Sequence, residues 1–209
     1  NLGIEIGLFN KIDIQADYFT EYRSNILMDR AQIPATMGLQ SPLRANVGEA
    51  SSNGYEITID YNDQLNKDLY VGFRANFSYA DSKYEVYEEL DYLNAGLPWR
   101  SRIGLNLSQP YGYIAERLFI DEADVANSPL QTFGEYMAGD IKYKDINNDG
   151  IIDINDEVPI GYPTTPKIIY GFGLSSKHKS FDFSFFFQGS AKSSFFVDAY
   201  NSSPFIDTY

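Results

Sequence analysis

The chain has 209 residues, with 16 basic against 29 acidic side chains, a formal charge of -13 at pH 7, and no Cys. That acid excess would repel a phosphate backbone, so nucleic acid is set aside as a partner, and the missing cysteines exclude disulfides, thiolate metal sites and a cysteine nucleophile. No stretch approaches the roughly 18 to 20 consecutive apolar residues of a membrane-spanning helix, but this leaves a β-barrel open, and 17 Tyr with 15 Phe favour pleated, half-buried surfaces.

The first residues alternate. Leu2, Ile4, Ile6 and Leu8 share one face and Gly3, Glu5 and Gly7 the other, which predicts a strand. After a turn at Asn10 and Lys11, Ile12, Ile14, Ala16, Tyr18, Thr20 and Tyr22 alternate with Asp13, Gln15, Asp17, Phe19 and Glu21. That strand of about ten residues exceeds the usual five or six of soluble sheets. Residues 24–47 read as a loop, with Pro34, Gly38 and Pro42 as breakers.

Tyr55, Ile57, Ile59 and Tyr61 form the apolar face of a further strand, opposite Glu56, Thr58 and Asp60. A polar turn over 62–67 leads to Val71, Phe73, Ala75, Phe77 and Tyr79, which completes a hairpin. Beyond a loop with Pro98 and Trp99, Ile103, Leu105 and Leu107 alternate with Arg102, Gly104 and Asn106, and 111–119 reads as one more strand. The last hairpin pairs Tyr170, Phe172 and Leu174 with Phe181, Phe183, Phe185 and Phe187 across a turn at 177–180. The reading gives about eight strands, no amphipathic helix between them, and an antiparallel all-β sheet.

Between positions 121 and 157 ten carboxylates stand against two cations, Lys142 and Lys144. Such a segment repels itself unless water or a cation screens it. Within it Asp145, Asn147, Asp149, Asp153 and Asp156 put side-chain oxygens at loop positions 1, 3, 5, 9 and 12, with Gly150 at 6 and the Ile151 carbonyl at 7. Oxygens on alternate residues around a tight turn suit a hard cation, so a structural Ca2+ is expected there. Position 12 is Asp instead of Glu, one methylene shorter, and no helical pattern flanks the loop. The alternative is an Asx-rich surface turn that holds no ion, because Asn and Asp bond their own backbone.

Alternation alone fits a soluble sandwich, whose apolar face meets a core, as well as a barrel, whose apolar face meets lipid. Three features favour the barrel. Connections alternate between tight and long; tyrosines recur near predicted strand ends (Tyr18, Tyr22, Tyr55, Tyr61, Tyr79, Tyr170); and the polar face carries Glu5, Asp13, Asp17, Glu21, Glu56, Asp60, Arg74 and Arg102, which suits a wide aqueous lumen.

The order of motifs adds a resemblance. Gly139-Asp140-Ile141-Lys142-Tyr143-Lys144-Asp145, then Asn148-Asp149-Gly150, Ile160-Gly161-Tyr162-Pro163, Pro166-Lys167 and Tyr170-Gly171-Phe172 precede a closing run from Ser180 to Phe185-Phe186-Phe187-Gln188-Gly189. This order resembles the C-terminal part of SusC/RagA-type TonB-linked outer-membrane proteins, specifically over 139–190, with support from Asn53-Gly54-Tyr55-Glu56, Gly112-Tyr113 and Leu118-Phe119. The resemblance implies a partial barrel over 1–209, drawn from one of about 22 strands, with an extracellular loop at 139–161. It also implies an N-terminal plug that this stretch does not show, a TonB complex acting through that absent region, and a SusD-like surface lipoprotein that captures glycans or peptides. Asn1 opens in mid-pattern and Asp207-Thr208-Tyr209 closes without a terminal strand, so the expectation is a piece of a longer protein.

Function then reads as outer-membrane import of oligomeric nutrients, with membrane lipid against the apolar face. The alternative is a secreted, calcium-braced β-sandwich that binds carbohydrate. Tyr87, Tyr92 and Trp99 offer rings for stacking on sugars, although packing within their own loop is the favoured account of them. His178, the single histidine, sits between lysines in a turn as a solvated residue. No carboxylate pair stands out by spacing and the usual base is missing, so no enzyme is expected.

Overall fold

The computed structural model describes residues 1–31, 33, 35–38 and 40–197. Its first strands are β1 (Leu2–Leu8), β2 (Ile12–Asp29), β3 (Arg44–Asn66) and β4 (Leu69–Val86). A segment of short pieces follows: β5 (Tyr111–Gly112), β6 (Ala115–Leu118), α1 (Glu122–Ala126), β7 (Leu130–Gln131), β8 (Ile141–Tyr143), β9 (Ile151–Ile152) and β10 (Val158–Pro159). The last hairpin is β11 (Ile168–His178) and β12 (Phe181–Ala191). Pro34 and the closing run at 207–209, both named from the sequence, lie outside the described residues.

The six long strands make one antiparallel sheet in the order β1-β2-β3-β4-β11-β12. Each strand pairs with the next along this order, so the tight links at 9–11, 67–68 and 179–180 fall on one rim. The excursions at 30–43 and 87–167 fall on the other. The asymmetry of connections read from the sequence is therefore a property of the fold.

Register carries the period-two pattern across the sheet. Ile6 faces Ile14, which faces Ile59, then Ala75, Phe172 and Phe187. One residue along, Gly7, Asp13, Asp60, Arg74, Gly173 and Phe186 form a row on the opposite face. A slip of one residue would exchange the two faces entirely, so the apolar rows fix the pairing. Cross-strand rings reinforce it: Tyr55 stacks on Tyr79 at 5.3 Å and Phe172 meets Phe187 at 5.6 Å.

Phe186 breaks the alternation by standing on the polar face, and glycine explains its place. A Cβ on Gly173 would lie 2.7 Å from the Phe186 ring, and one on Gly171 at the same distance, so the ring rests over two bare backbones. Aromatic cover of strand glycines restores contact where no side chain exists to supply it.

Three differences from the sequence reading have physical causes. Strands β2, β3 and β4 run 18, 23 and 18 residues, well into the expected loop at 24–47 and into the one that precedes Pro98 and Trp99. Their extensions are mostly polar or small, and the consecutive Ile26, Leu27 and Met28 do not alternate, so the period-two signal fades while backbone pairing continues, through a bulge near Asn25, whose φ is 58°. Residues 103–107 form no strand; Ile103 makes only an isolated bridge to Tyr84. Arg102 accordingly belongs to the insertion and not to the polar sheet face.

The insertion over 87–167 has its own small core. Phe119 and Ile152 are buried, Phe119 stacks on Tyr136 at 5.5 Å, and Tyr113, Phe133 and Tyr143 cluster with ring centroids 5.0 to 5.6 Å apart. The Tyr84 carbonyl accepts the Gly104 N–H at 2.8 Å and Lys167 pairs with Asp81 at 2.8 Å, which ties the insertion to the top of β4.

Candidate functional site

The main sheet has two chemically distinct faces and is a single layer. On the apolar side Leu2, Ile4, Phe183 and Phe187 are 68%, 56%, 63% and 59% exposed. Exposure of so many large apolar groups in continuous rows is costly in water, at about 25 cal/mol per Å2. Along β4 the apolar rows extend from Leu69 to Tyr79, and there the Tyr18, Tyr55 and Tyr79 row crosses the sheet. Above that row the strands rise as polar ribbons toward the insertion.

The opposite face is charged. Asp13 stands across from Asp60, and Asp17 across from Glu56. Arg74 pairs with Asp60 at 2.5 Å and Lys177 lies 3.9 Å from Asp182. Like charges set directly opposite one another destabilise a sheet unless water solvates them, so this face needs an aqueous surrounding.

The acidic loop expected to hold Ca2+ is built largely from its own hydrogen bonds. Asp145 accepts the N–H groups of Asn148 at 2.6 Å and Gly150 at 2.8 Å, and Gly150 has the positive φ, 85°, that a side chain resists. Asp149 accepts the Ile151 N–H and the Asn147 amide, each at 2.8 Å, and the Asn147 oxygen takes the Asp149 N–H at 3.0 Å. Asp153 caps a short 3-10 turn by accepting the Asn155 N–H at 2.7 Å. Ile151 opens β9, which runs parallel to β7.

Asp156 behaves differently from the other four. It is wholly buried, and its two oxygens take the N–H groups of Ile146 at 2.8 Å and Asp153 at 2.9 Å, with Asn147 more distant at 3.4 Å. It is an internal brace that ties the start of the loop to its end. Among the described residues no three His, Cys, Asp or Glu side chains gather as a metal-holding group. The expected ligands thus share one loop, with Asp145, Asn147 and Asp149 in a single turn and Asp156 turned into the core.

Reasoning from sequence missed several pairings in the insertion. Trp99, considered for sugar stacking, donates its indole N–H to the Asn155 carbonyl at 2.7 Å and so braces the acidic loop. Tyr87 packs edge-on against Tyr84 at 4.7 Å, and Arg100 lies over the Tyr92 ring. The Arg117 guanidinium, the Ile120 N–H and Lys142 hold the Asp124 carboxyl well below the usual carboxylate range, while burial pushes the Tyr113 phenol up. No spacing rule in the sequence would have joined Arg117 to Asp124 across the start of α1.

No family model matches the chain. Two curated relatives do. "TonB-dependent receptor P3" of Formosa agariphila is 26% identical over 200 residues, covering 91% of this chain and 20% of the relative. "TonB-dependent receptor P26" of the same organism is 24% identical over 205 residues, covering 90% and 19%. Among solved structures, the RagAB peptide importer in its 'open-open' state superposes with a TM-score of 0.62 at 19% identity, and in its 'closed-closed' state with 0.61 at 22%. Each alignment covers 91% of this chain and 20% of the RagAB chain, so the present chain spans about a fifth of the length of the proteins it matches. The likeness first drawn from residues 139–190 therefore extends over nine-tenths of the chain, in sequence to the TonB-dependent receptors and in antiparallel fold to RagAB.

Proposed function

We propose that this chain contributes barrel wall and a surface insertion to an outer-membrane importer of oligomeric nutrients, glycans or peptides. The observation that carries the reading is the uncovered apolar face with a charged face behind it. From Leu69 to Tyr79 that face spans about 33 Å along the strand at ~3.3 Å per residue. At a tilt of about 40 to 45° this is close to the roughly 25 Å apolar height of outer-membrane barrels. Its upper edge is the tyrosine row, where interfacial aromatics belong, and the charged face suits a water-filled passage. A secreted sandwich would need a second layer over Phe183, Phe185 and Phe187, which are 63%, 38% and 59% exposed.

The partners follow from the same reading: a SusD-like surface lipoprotein on the long-loop rim, and a TonB complex that supplies energy through regions outside this chain. The matched RagAB complex is a peptide importer, which makes oligopeptides the first substrates to test and oligosaccharides the second. Deleting the gene in its native host should abolish uncoupler-sensitive uptake of one labelled oligomer class and leave monomer uptake intact. Unchanged uptake of every oligomer tried would remove the reading.

Calcium at the 145–156 loop is a second, separate part of the proposal. Its support is the order of oxygen donors and the ten carboxylates that two cations in the same stretch leave uncompensated. Asp145, Asn147 and Asp149 would hold the ion with the remaining lone pairs of oxygens that already accept N–H groups, and its contribution would be to brace the insertion.

A further inference from the structure

The chain holds seven arginines, and six of them lie against a carboxylate: Arg23, Arg30, Arg44, Arg74, Arg100 and Arg117. Arg102 has none among the described residues. In a chain with 29 acidic side chains an arginine without a partner calls for a cause. Its surroundings hold it in place without neutralising it. The guanidinium lies 4.9 Å from the centre of the Tyr111 ring and 5.8 Å from that of Tyr87. The Tyr111 hydroxyl donates to the Ser101 carbonyl at 2.8 Å, and Glu89 accepts the backbone N–H of Arg102 at 2.9 Å and the Ser101 hydroxyl.

Arg102 lines a cavity of about 350 Å3 between the top of β4 and the insertion, together with Tyr87, Tyr92, Arg100 and Tyr111. Three glutamates also line it, but each is engaged: Glu88 with Arg30 at 2.7 Å, Glu157 with Arg100 at 2.9 Å, and Glu89 as above. Two arginines and three glutamates line the cavity, and Arg30, paired with Glu88 from outside the lining, brings the arginines level with the glutamates in an acid-rich chain. Arg100 is held by Glu157, and its Nε is buried, so Arg102 supplies the cavity's available guanidinium N–H groups. Aromatic walls, a pre-oriented planar fork and unused N–H groups are the requirements for binding a carboxylate that carries a flat or ring-shaped body.

We infer that this cavity is a subsite for the carboxylate of an oligomeric ligand, with Arg102 as its anchor and the tyrosine rings as its walls. The inference rests on the importer reading and names the substrate chemistry within it: a uronic-acid glycan or a peptide with a free C-terminus. Neutral oligosaccharides lack the group that Arg102 is arranged to meet.

The test is calorimetric binding to the full natural protein, purified in detergent, using four probes: a tri-uronate, a neutral trisaccharide, a tripeptide, and the same tripeptide amidated at its C-terminus. At least one carboxylate-bearing probe should bind more tightly than its uncharged counterpart. Arg102→Ala should erase that preference, a loss of roughly tenfold to a hundredfold for a charge-assisted pair, and Arg102→Lys should restore only part of it because the planar fork is gone. Preference for the uronate marks an acidic glycan as the ligand, and preference for the free peptide marks a peptide. No preference in the native protein, or an equal preference in Arg102→Ala, overturns the inference. Either result leaves the importer reading standing, because that reading is tested by lipid contact and by uptake.

Discussion

Replacing Asp156 by alanine tests whether the insertion is held together from inside. The side chain is wholly buried and accepts two well-placed N–H groups, from Ile146 at 2.8 Å and from Asp153 at 2.9 Å. Alanine leaves both donors without an acceptor in a place that water does not reach, at about 1 to 3 kcal/mol for each. The expected loss is about 3 kcal/mol of local stability, or more than a hundredfold faster opening. Asp156→Asn should fall between the two, since the amide keeps an oxygen for one N–H and sets its NH2 against the other. Amide hydrogen exchange of the full natural protein reads the effect directly at 146 and 153, with the β3–β4 amides as an internal control. The measurement is made in EDTA, so that an ion cannot substitute for the lost brace. Exchange at 146 and 153 within threefold of the native protein would refute the reasoning.

Three further outcomes are expected. Ile59→Lys, across from Ala75, places a charge on the apolar face near mid-height and should destabilise the protein in a bilayer by about 2 to 4 kcal/mol, whereas Thr58→Lys on the charged face should change little; equal effects in reversible urea unfolding would contradict the assignment of faces. Asp124 has a depressed carboxyl pKa in the folded insertion, so its contribution to stability is complete above the unfolded carboxylate value near pH 4 and declines as pH falls toward the lower folded value. Asp124→Asn should therefore flatten the acid limb of insertion stability below about pH 4, read by exchange or limited proteolysis, and an unchanged acid limb would remove that pairing from the account. Millimolar calcium added after EDTA should slow exchange across 145–151, and Asp149→Ala should abolish the slowing; identical exchange with and without calcium would remove the ion from the account.

Much of the sheet could be read from period two, because its strands carry unbroken apolar rows on one face. The faces of Leu2 to Leu8, Val71 to Tyr79 and Phe181 to Phe187 all stand where alternation put them. Strand ends were harder to read. Once β2 passes Tyr22 and before β3 reaches Gly54, the residues are mostly polar or small, and only pairing with the neighbouring strand shows that the ribbon continues. The insertion was read least well because its pieces are two to five residues long, too short for any period. Ile152 and Phe119 become a core only through contacts distant in sequence.

The candidate site shows the same division. Oxygen spacing marked out the 145–156 loop, yet spacing could not tell a carboxylate that faces solvent, as at Asp149, from one that faces the core, as at Asp156. Arg102 looked like a lumen residue because it alternates with Leu105 and Ile103 on paper. The turn at 103–105 carries it to the tyrosines of the insertion instead, and its importance lies in what it lacks, which no sequence pattern reports.

The central claim is that lipid covers the apolar face and water the charged one. Single cysteines at Ile57, Phe172 and Phe187, and at Glu56 and Asn76, each carrying one fluorescent probe, read this in the full natural protein in a bilayer once any Cys outside these 209 residues, which hold none, has been replaced by Ser. Nitroxides on the lipid tails should quench the first three, and a water-soluble nitroxide should quench the other two. Probes at Ile57, Phe172 and Phe187 that respond only to the water-soluble quencher, or to neither, would contradict the claim.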